Sequence, residues 1–324
     1  MCQEPTRHEV LALHPQREPV DSLRVSRETS VQPRMSFGAH ASRHRVNFRL
    51  AIVVLATREA LRRFERGLAV IEWPSRGFHV KHTDQDSATL LAQLCEEAGV
   101  TVTPDQAEQA VTYLLAIIER NHQINLTRID TLAAGIRLHL LDSLLALPEF
   151  AAAPLGSICD VGTGGGFPGV PLSIVTGRST TLLDSVRKKT AAVNAVLETL
   201  RAEGVDIHAR AVGERAEIHA ATLGARYAVV TARAVAPLAS LVELAAPLLM
   251  PDGVFVAYKG APLPDELAAG DVAARIVGMK RLSLRTIVLP RGDEERTVIS
   301  YIRSGSGKVS LPRRDGLAQH LPLR

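Results

Sequence analysis

The sequence predicts an α/β fold built on a doubly wound, mostly parallel sheet, and three observations carry that reading. From Ser157 onward, short apolar runs alternate with amphipathic helical segments. A glycine cluster, "GTGGGFPG" at 162–169, follows the first run at the point where a strand feeds a helix. The last two runs are joined by the polar turn "RGDE", which makes that end of the sheet antiparallel.

Taken in chain order, residues 1–80 carry scattered Pro and Arg with no sustained period. Their "AIVVLATREALRRFERGLAV" is compatible with one amphipathic helix. Residues 1–86 are read as a poorly ordered or partly helical extension, dispensable for chemistry, or as the product of a start codon placed too early. Order resumes near Ser87, and 87–150 reads as a helical N-terminal unit. "SATLLAQLCEEAGV" is a helix stopped at Gly99. The next helix opens with Thr103 as N-cap, Pro104 in its first turn and Gln106 at the capping-box position. Its apolar stripe runs through Ala107, Val111, Leu114, Leu115 and Ile118. "LAAGIRLHLLDSLLAL" forms a third helix.

Residues 151–303 form the sheet domain. Strands are expected at 157–161, 179–184, 205–212, 227–233 and 253–260, then in "SLRTIVLP" and "ERTVISYIRS". Helices are expected in "RKKTAAVNAVLETLRAEG", ended by Gly204, and in "PLASLVELAAPLLMPDG", ended by Pro251-Asp252-Gly253. Residues 304–324 are a basic C-terminal tail.

Composition narrows the functional classes. The three cysteines, Cys2, Cys95 and Cys159, have neither disulfide nor metal spacing, which fits a reducing compartment. The early apolar run "LAIVVLA" is too short to span a bilayer. A soluble, cytoplasmic protein without a metal or membrane association is the expectation, and a monomer. Charge is unevenly spread: 14 basic against 22 acidic residues over 81–274, but 11 against 4 over 275–324. A basic tail beside a ligand-binding core fits a polyanionic partner, with solvated surface charge as the plainer alternative.

The glycine loop points to an adenosine-containing cofactor. Gly162, Gly164, Gly165 and Gly166 permit a tight, closely approached turn, and Pro168 fits the first turn of the following helix. "GGGFPG" formally matches the dinucleotide pattern but starts three residues past the strand. The frame from Gly162 places Phe167 where a small residue belongs. Asp160 before the loop repels a pyrophosphate and suits the cationic amino-acid end of S-adenosylmethionine. Asp184, 24 residues on at the end of the second strand, is placed to accept from ribose hydroxyls under either cofactor. "GERAE" (213–217) follows the third strand, where adenine would lie. These residues favour a methyltransferase and leave a dehydrogenase and a non-catalytic nucleotide fold open. Arg233, after the fourth strand, opens onto the same sheet edge, with a structural salt bridge as its alternative role. Lys259, after the fifth strand, and Arg187 with Lys188, at a helix N-terminus where cations oppose the dipole, are candidates for an anionic substrate.

The resemblance then becomes specific. "INLTRI" with "RLHLLDSL", "ICDVGTGGGFPGVPLSI", "TLLDSVRKK", "RAE", "TARAVAPLASL" and "YKG" are similar, in order, to the motifs of the RsmG (GidB) family of bacterial small-subunit rRNA methyltransferases. They span roughly 90–303. The resemblance implies a Rossmann-like class I S-adenosylmethionine-dependent methyltransferase sheet, and methyl transfer to N7 of guanine 527 of 16S rRNA, naked or within the small ribosomal subunit. It adds Phe167 and Arg215-Ala216-Glu217 to the cofactor residues and supports Arg233 as the catalytic one. N7 carries a lone pair and no proton, so alignment replaces a general base or nucleophile; Cys159 reads as core. The family's tail has a "YPRR-x-G-x-P" run. Here "LPRRDGLA" keeps Pro312, Arg313, Arg314 and Gly316 but has Leu311 and Ala318 in place of the aromatic and the second proline. Lys308, Arg313 and Arg314 are the candidate phosphate contacts. His139 and Asp142 share a helix face, either locking the helical unit to the sheet or covering the cofactor mouth; Asn125 caps a turn beside the pocket. A small-molecule methyltransferase and a non-enzymatic RNA-binding protein are the competing functions.

Overall fold

The computed structural model describes residues 85–233 and 235–324. The extension expected over 1–86 therefore lies almost wholly outside the described residues. Seven strands form one sheet: β1 (Ile158–Val161), β2 (Thr180–Leu183), β3 (Ala209–Val212), β4 (Tyr227–Arg233), β5 (Leu249–Lys259), β6 (Met279–Val288) and β7 (Glu295–Arg303). Their order is β3-β2-β1-β4-β5-β7-β6. The first five are parallel, and β7 runs antiparallel to both β5 and β6. The order reverses between β1 and β4, which opens a crevice beyond their carboxyl ends.

Helices cover both faces, as buried parallel strands require. On one face lie α1 (Gln85–Glu97), α2 (Pro104–Asn121), a third helix α3, α4 (Gly169–Thr176) and α5 (Arg187–Ala202). Helix α3 is composite: α-helical over Leu132–Gly135, π-helical over Ile136–Leu141, and α-helical again over Asp142–Leu144. On the other face lie α6 (Ala216–Leu223), α7 (Leu238–Ala245), α8 (Pro264–Ile276) and the short α9 (Leu317–His320).

Helix α2 starts as its sequence dictates. The Thr103 hydroxyl accepts from Gln106 N at 3.2 Å, and the Gln106 side chain accepts from Thr103 N at 2.9 Å. Tyr113, Leu114 and Ile117 on this helix are fully buried, each side chain contributing about 1.5–3 kcal/mol by leaving water. Leu115 and Ile118, assigned to the stripe, are only partly buried.

Several boundaries differ from expectation; β6 begins at Met279, ahead of the expected "SLRTIVLP". Strand β3 occupies only Ala209–Val212, because Val205 N instead caps Leu200 O at 2.9 Å and closes the preceding helix. Helix α7 ends at Ala245, since Pro247 has no N–H to continue it. The chain is already in β5 at Leu249, and Pro251 and Asp252 form an exposed excursion within the strand, marked by Asp252 at φ 60°. Helices α6 and α8 were not anticipated. Among the described residues, no helix is long and apolar enough to cross a membrane, and no group of side chains is arranged to hold a metal ion.

Candidate cofactor site at the carboxyl edge of the sheet

The glycine loop is shaped first by the protein itself. Tyr113, rising from α2, donates its hydroxyl to Gly165 O at 2.8 Å. A Cβ on Gly166, whose φ is +86°, would overlap that hydroxyl. A Cβ on Gly169 would overlap Leu182, so this glycine lets the amino end of α4 sit directly on the sheet. Phe167 is buried. Its ring stacks on His139 at 4.4 Å and 2°, and meets Tyr113 edge-on at 5.5 Å. Gly165, Gly166 and Phe167 thus face the helical unit.

Asp160 is engaged by the protein's own groups. It is fully buried; Oδ2 accepts from Gly169 N at 3.0 Å and Oδ1 from the Thr231 hydroxyl at 3.0 Å. Burial pushes its carboxyl above the ordinary range, against hydrogen bonds and Arg233. It ties β1 to α4 and β4, beneath the crevice rather than in it.

A cleft of about 120 Å³ opens at the carboxyl ends of β1 to β4, bordered by Gly162, Asp184, Glu214, Arg215, Glu217 and Gln319. Ala216 also lines it. The turn after β1, the end of β2 and the "GERAE" segment therefore converge as the sequence implied. Asp184 is set by two backbone donors: Gly164 N at 3.0 Å and Val186 N at 2.9 Å. This is Gly164's link to the site. Arg215 makes only long contacts, 3.5 Å to both Glu217 and Gln319, and its buried Nε has no acceptor. Carboxylates at the end of β2 and after β3 are acceptors of the kind that the ribose hydroxyls of an adenosyl group would require. Glu214 and Gln319 were not anticipated. Glu214 lies inside "GERAE" and is held by buried His219, whose other nitrogen meets the Tyr227 hydroxyl at 2.6 Å. Gln319 carries no local signal.

Arg233 is not among the residues that line the cleft, and it forms the salt bridge that its alternative role describes. Its guanidinium donates to Asp142 Oδ2 at 2.9 Å, to Leu138 O at 3.4 Å and to His139 Nδ1 at 3.3 Å. Asp142, 3% exposed, also accepts from Arg296 at 3.1 Å. His139 completes the clasp by meeting the Thr127 hydroxyl at 2.6 Å. Burial and Arg233 lower its pKa to about 3, so it is a neutral ring. His139 and Asp142 thus lock the helical unit to β4. Asn125 is exposed; the turn there is capped by Asn121, whose Oδ1 accepts from Leu126 N and Thr127 N.

The expected phosphate contacts divide into two groups. Arg187, Lys188, Lys308 and Arg314 are exposed and form no ion pair among the described residues. Lys259 pairs with Glu266 at 2.7 Å and donates to Ala236 O. Arg313 corrects the picture of a free basic tail: both its arms hold buried Glu243 at 2.6 Å, and it donates to Leu321 O at 2.7 Å. A forked arginine against a buried carboxylate is an internal anchor.

Comparison with known proteins agrees with this architecture. Residues 106–296 match the family described as "GidB: rRNA small subunit methyltransferase G". The chain is 33% identical over 239 residues to the ribosomal RNA small subunit methyltransferase G of Limosilactobacillus reuteri, covering 72% of this chain and 97% of that one. Its counterpart in Bacillus pumilus is 32% identical over 232 residues, covering 70% and 95%. The enzyme of the same name in Bacillus cereus is 33% identical over 233 residues, covering 71% and 96%. This chain belongs to the GidB family of small-subunit rRNA methyltransferases and is an S-adenosylmethionine-dependent enzyme.

Proposed function

We propose that the chain transfers the methyl group of S-adenosylmethionine to N7 of guanine 527 in 16S rRNA. The observation that carries this reading is the cleft where Gly162, Asp184 and Arg215–Glu217 meet at the sheet's switch point, in a chain of this family. When bound, the cofactor supplies an electrophilic methyl group next to a cationic sulfur. Asp184 accepts from the ribose; the Arg215–Glu217 segment borders the base. The glycine loop, pinned by Tyr113 and Asp160, holds the remainder of the cofactor in register.

The side chains favour a reaction without proton abstraction. His139, stacked on Phe167 of the loop, has both nitrogens engaged and stays neutral. The Cys159 thiol is buried, and burial together with Asp160 pushes its pKa well up, so it is no nucleophile. N7 of guanine needs neither, since its lone pair is exposed and transfer depends on alignment. Arg187, Lys188, Lys308 and Arg314 contact rRNA phosphates and position the strand without reading its sequence. Arg233 acts as a positioning residue, holding the helical unit against β4. Asp160, Gly165, Gly166 and Phe167 support the site from beneath.

The test is transfer from radiolabelled S-adenosylmethionine to 16S rRNA and to small subunits lacking the modification, with the labelled nucleoside identified. Label in 7-methylguanosine at one loop is expected. Cofactor binding without label in either RNA would move the assignment to a small-molecule methyltransferase, and absence of cofactor binding would overturn the reading of the cleft.

A further inference from the structure

The C-terminal segment lies beyond residue 296, where the family match ends, yet it is built into the wall of the cleft. Its path is fixed at several points. Gly316 N donates to the buried Glu217 Oε1 at 2.9 Å. Ala318 is 2% exposed and belongs to the same core as α6 and α7. Arg313 holds Glu243, itself 2% exposed, and Leu323 N returns to the same carboxylate at 3.3 Å. Contacts on both sides of α9 therefore present its one outward amide, Gln319, to the cleft that Asp184 and Glu214 border from the other side.

We propose that this C-terminal turn is part of the cofactor site and that Gln319 reads the adenine edge of S-adenosylmethionine. The inference rests on the reading that the cleft takes the adenosyl group. Adenine offers an amino donor beside a ring-nitrogen acceptor, the pair that a glutamine amide complements with one acceptor and one donor. Among the side chains that line the cleft, the other polar ones do not match that edge. Asp184, Glu214 and Glu217 only accept when ionised, Arg215 only donates, and Ser185 has a single hydroxyl. Gln319 is also available, because its carbonyl oxygen has only the 3.5 Å contact to Arg215. Glu217 and Arg215 thus serve twice, bordering the base and seating the turn that recognises it.

Binding of S-adenosylhomocysteine and of S-inosylhomocysteine, in which the amino donor becomes a carbonyl acceptor, tests the proposal. Gln319→Ala and the volume-matched Gln319→Met are each expected to weaken the adenosyl ligand by about 10-fold, the size of one or two neutral hydrogen bonds. Both should narrow the preference for the adenosyl over the inosyl ligand. Arg313→Ala, which releases the anchor of the turn, should move affinity in the same direction. If Asp184→Asn weakens binding while both Gln319 variants keep affinity and preference within about twofold, Gln319 is no part of recognition and the proposal falls alone. If Asp184→Asn also leaves binding unchanged, the adenosyl reading of the cleft fails and takes the proposal with it.

Discussion

Replacing Arg233 by Met separates its two roles cleanly, because the structure gives the residue a stability cost that a purely catalytic residue would lack. The Arg233 side chain is 14% exposed and its partner Asp142 is 3% exposed. Removing the cation leaves Asp142 with Arg296 alone and deprives Leu138 O and His139 Nδ1 of their donor. Breaking a buried pair by deleting one member costs about 3–5 kcal/mol. For a folded unit of this size each kcal/mol moves the melting midpoint by roughly 2–4 °C, so a drop of roughly 6–20 °C is expected. Chemical denaturation of Arg233→Met, Asp142→Asn and the double variant closes the cycle, and the double variant should lose less than the sum. Arg233→Lys, which keeps charge but not the forked geometry, should fall between. If Arg233→Met melts within about 2 °C of the parent, about 0.5–1 kcal/mol on that scale, and still loses methyl transfer, the clasp is not what Arg233 is for. The residue would then belong to the substrate.

Three further outcomes follow from the same geometry. Gly166→Ala forces a side chain into the left-handed region against the Tyr113 hydroxyl and should cost about 2–5 kcal/mol in urea unfolding, from backbone strain plus overpacking; Tyr113→Phe in the same chain should recover part of it, and a cost below about 0.5 kcal/mol would show that the loop relaxes freely. His139 is held neutral, with its folded pKa near 3, below its unfolded value. Its contribution is therefore full above about pH 6.5 and is lost as pH falls toward 3, reaching a loss of ~2 kcal/mol at pH 5. His139→Gln should flatten the stability profile between pH 6.5 and 5, and an unchanged slope would refute the assignment. Arg187→Ala with Lys188→Ala should reduce the salt dependence of rRNA binding by roughly 0.7 in log–log slope per charge, leaving cofactor affinity intact; an unchanged slope would remove both residues from the RNA surface.

Legibility in the sequence tracked how local the cause was. The Thr103-Pro104-Gln106 start of α2, the Gly204 stop of α5 and the positions of β1, β2 and β4 depend on neighbours within a few residues, and they stand as read. The end of α7 was missed although Pro247 marked it, because the apolar run continues through Leu248 and Leu249 into a strand and period alone cannot place that change. Asp184 and the Arg215–Glu217 segment were legible because strand ends in such a sheet share one edge. Tyr113 and Gln319 were not, since each meets the site from an element 52 or 104 residues away from its partner. Arg313 looked like a free cation for the same reason: Glu243, the carboxylate that holds it, is 70 residues upstream.

The glycine loop illustrates why a binding motif and a folding motif coincide here. A cofactor held by backbone atoms needs those atoms fixed before it arrives, or binding must supply the ordering free energy. Each device around the loop does this without occupying the cleft. Asp160 clamps Gly169 N from below, Tyr113 holds Gly165 O, and Asp184 receives Gly164 N from the side that also borders the cleft. His139 stacks on Phe167 and ties the far side of the loop to Arg233 and hence to β4. The helical unit is therefore a buttress: its Tyr113 and His139 reach the loop that the sheet domain alone would leave unsupported on that face. Activity should then depend on residues that never touch cofactor or RNA, and the signature of such residues is loss of stability and of cofactor affinity together.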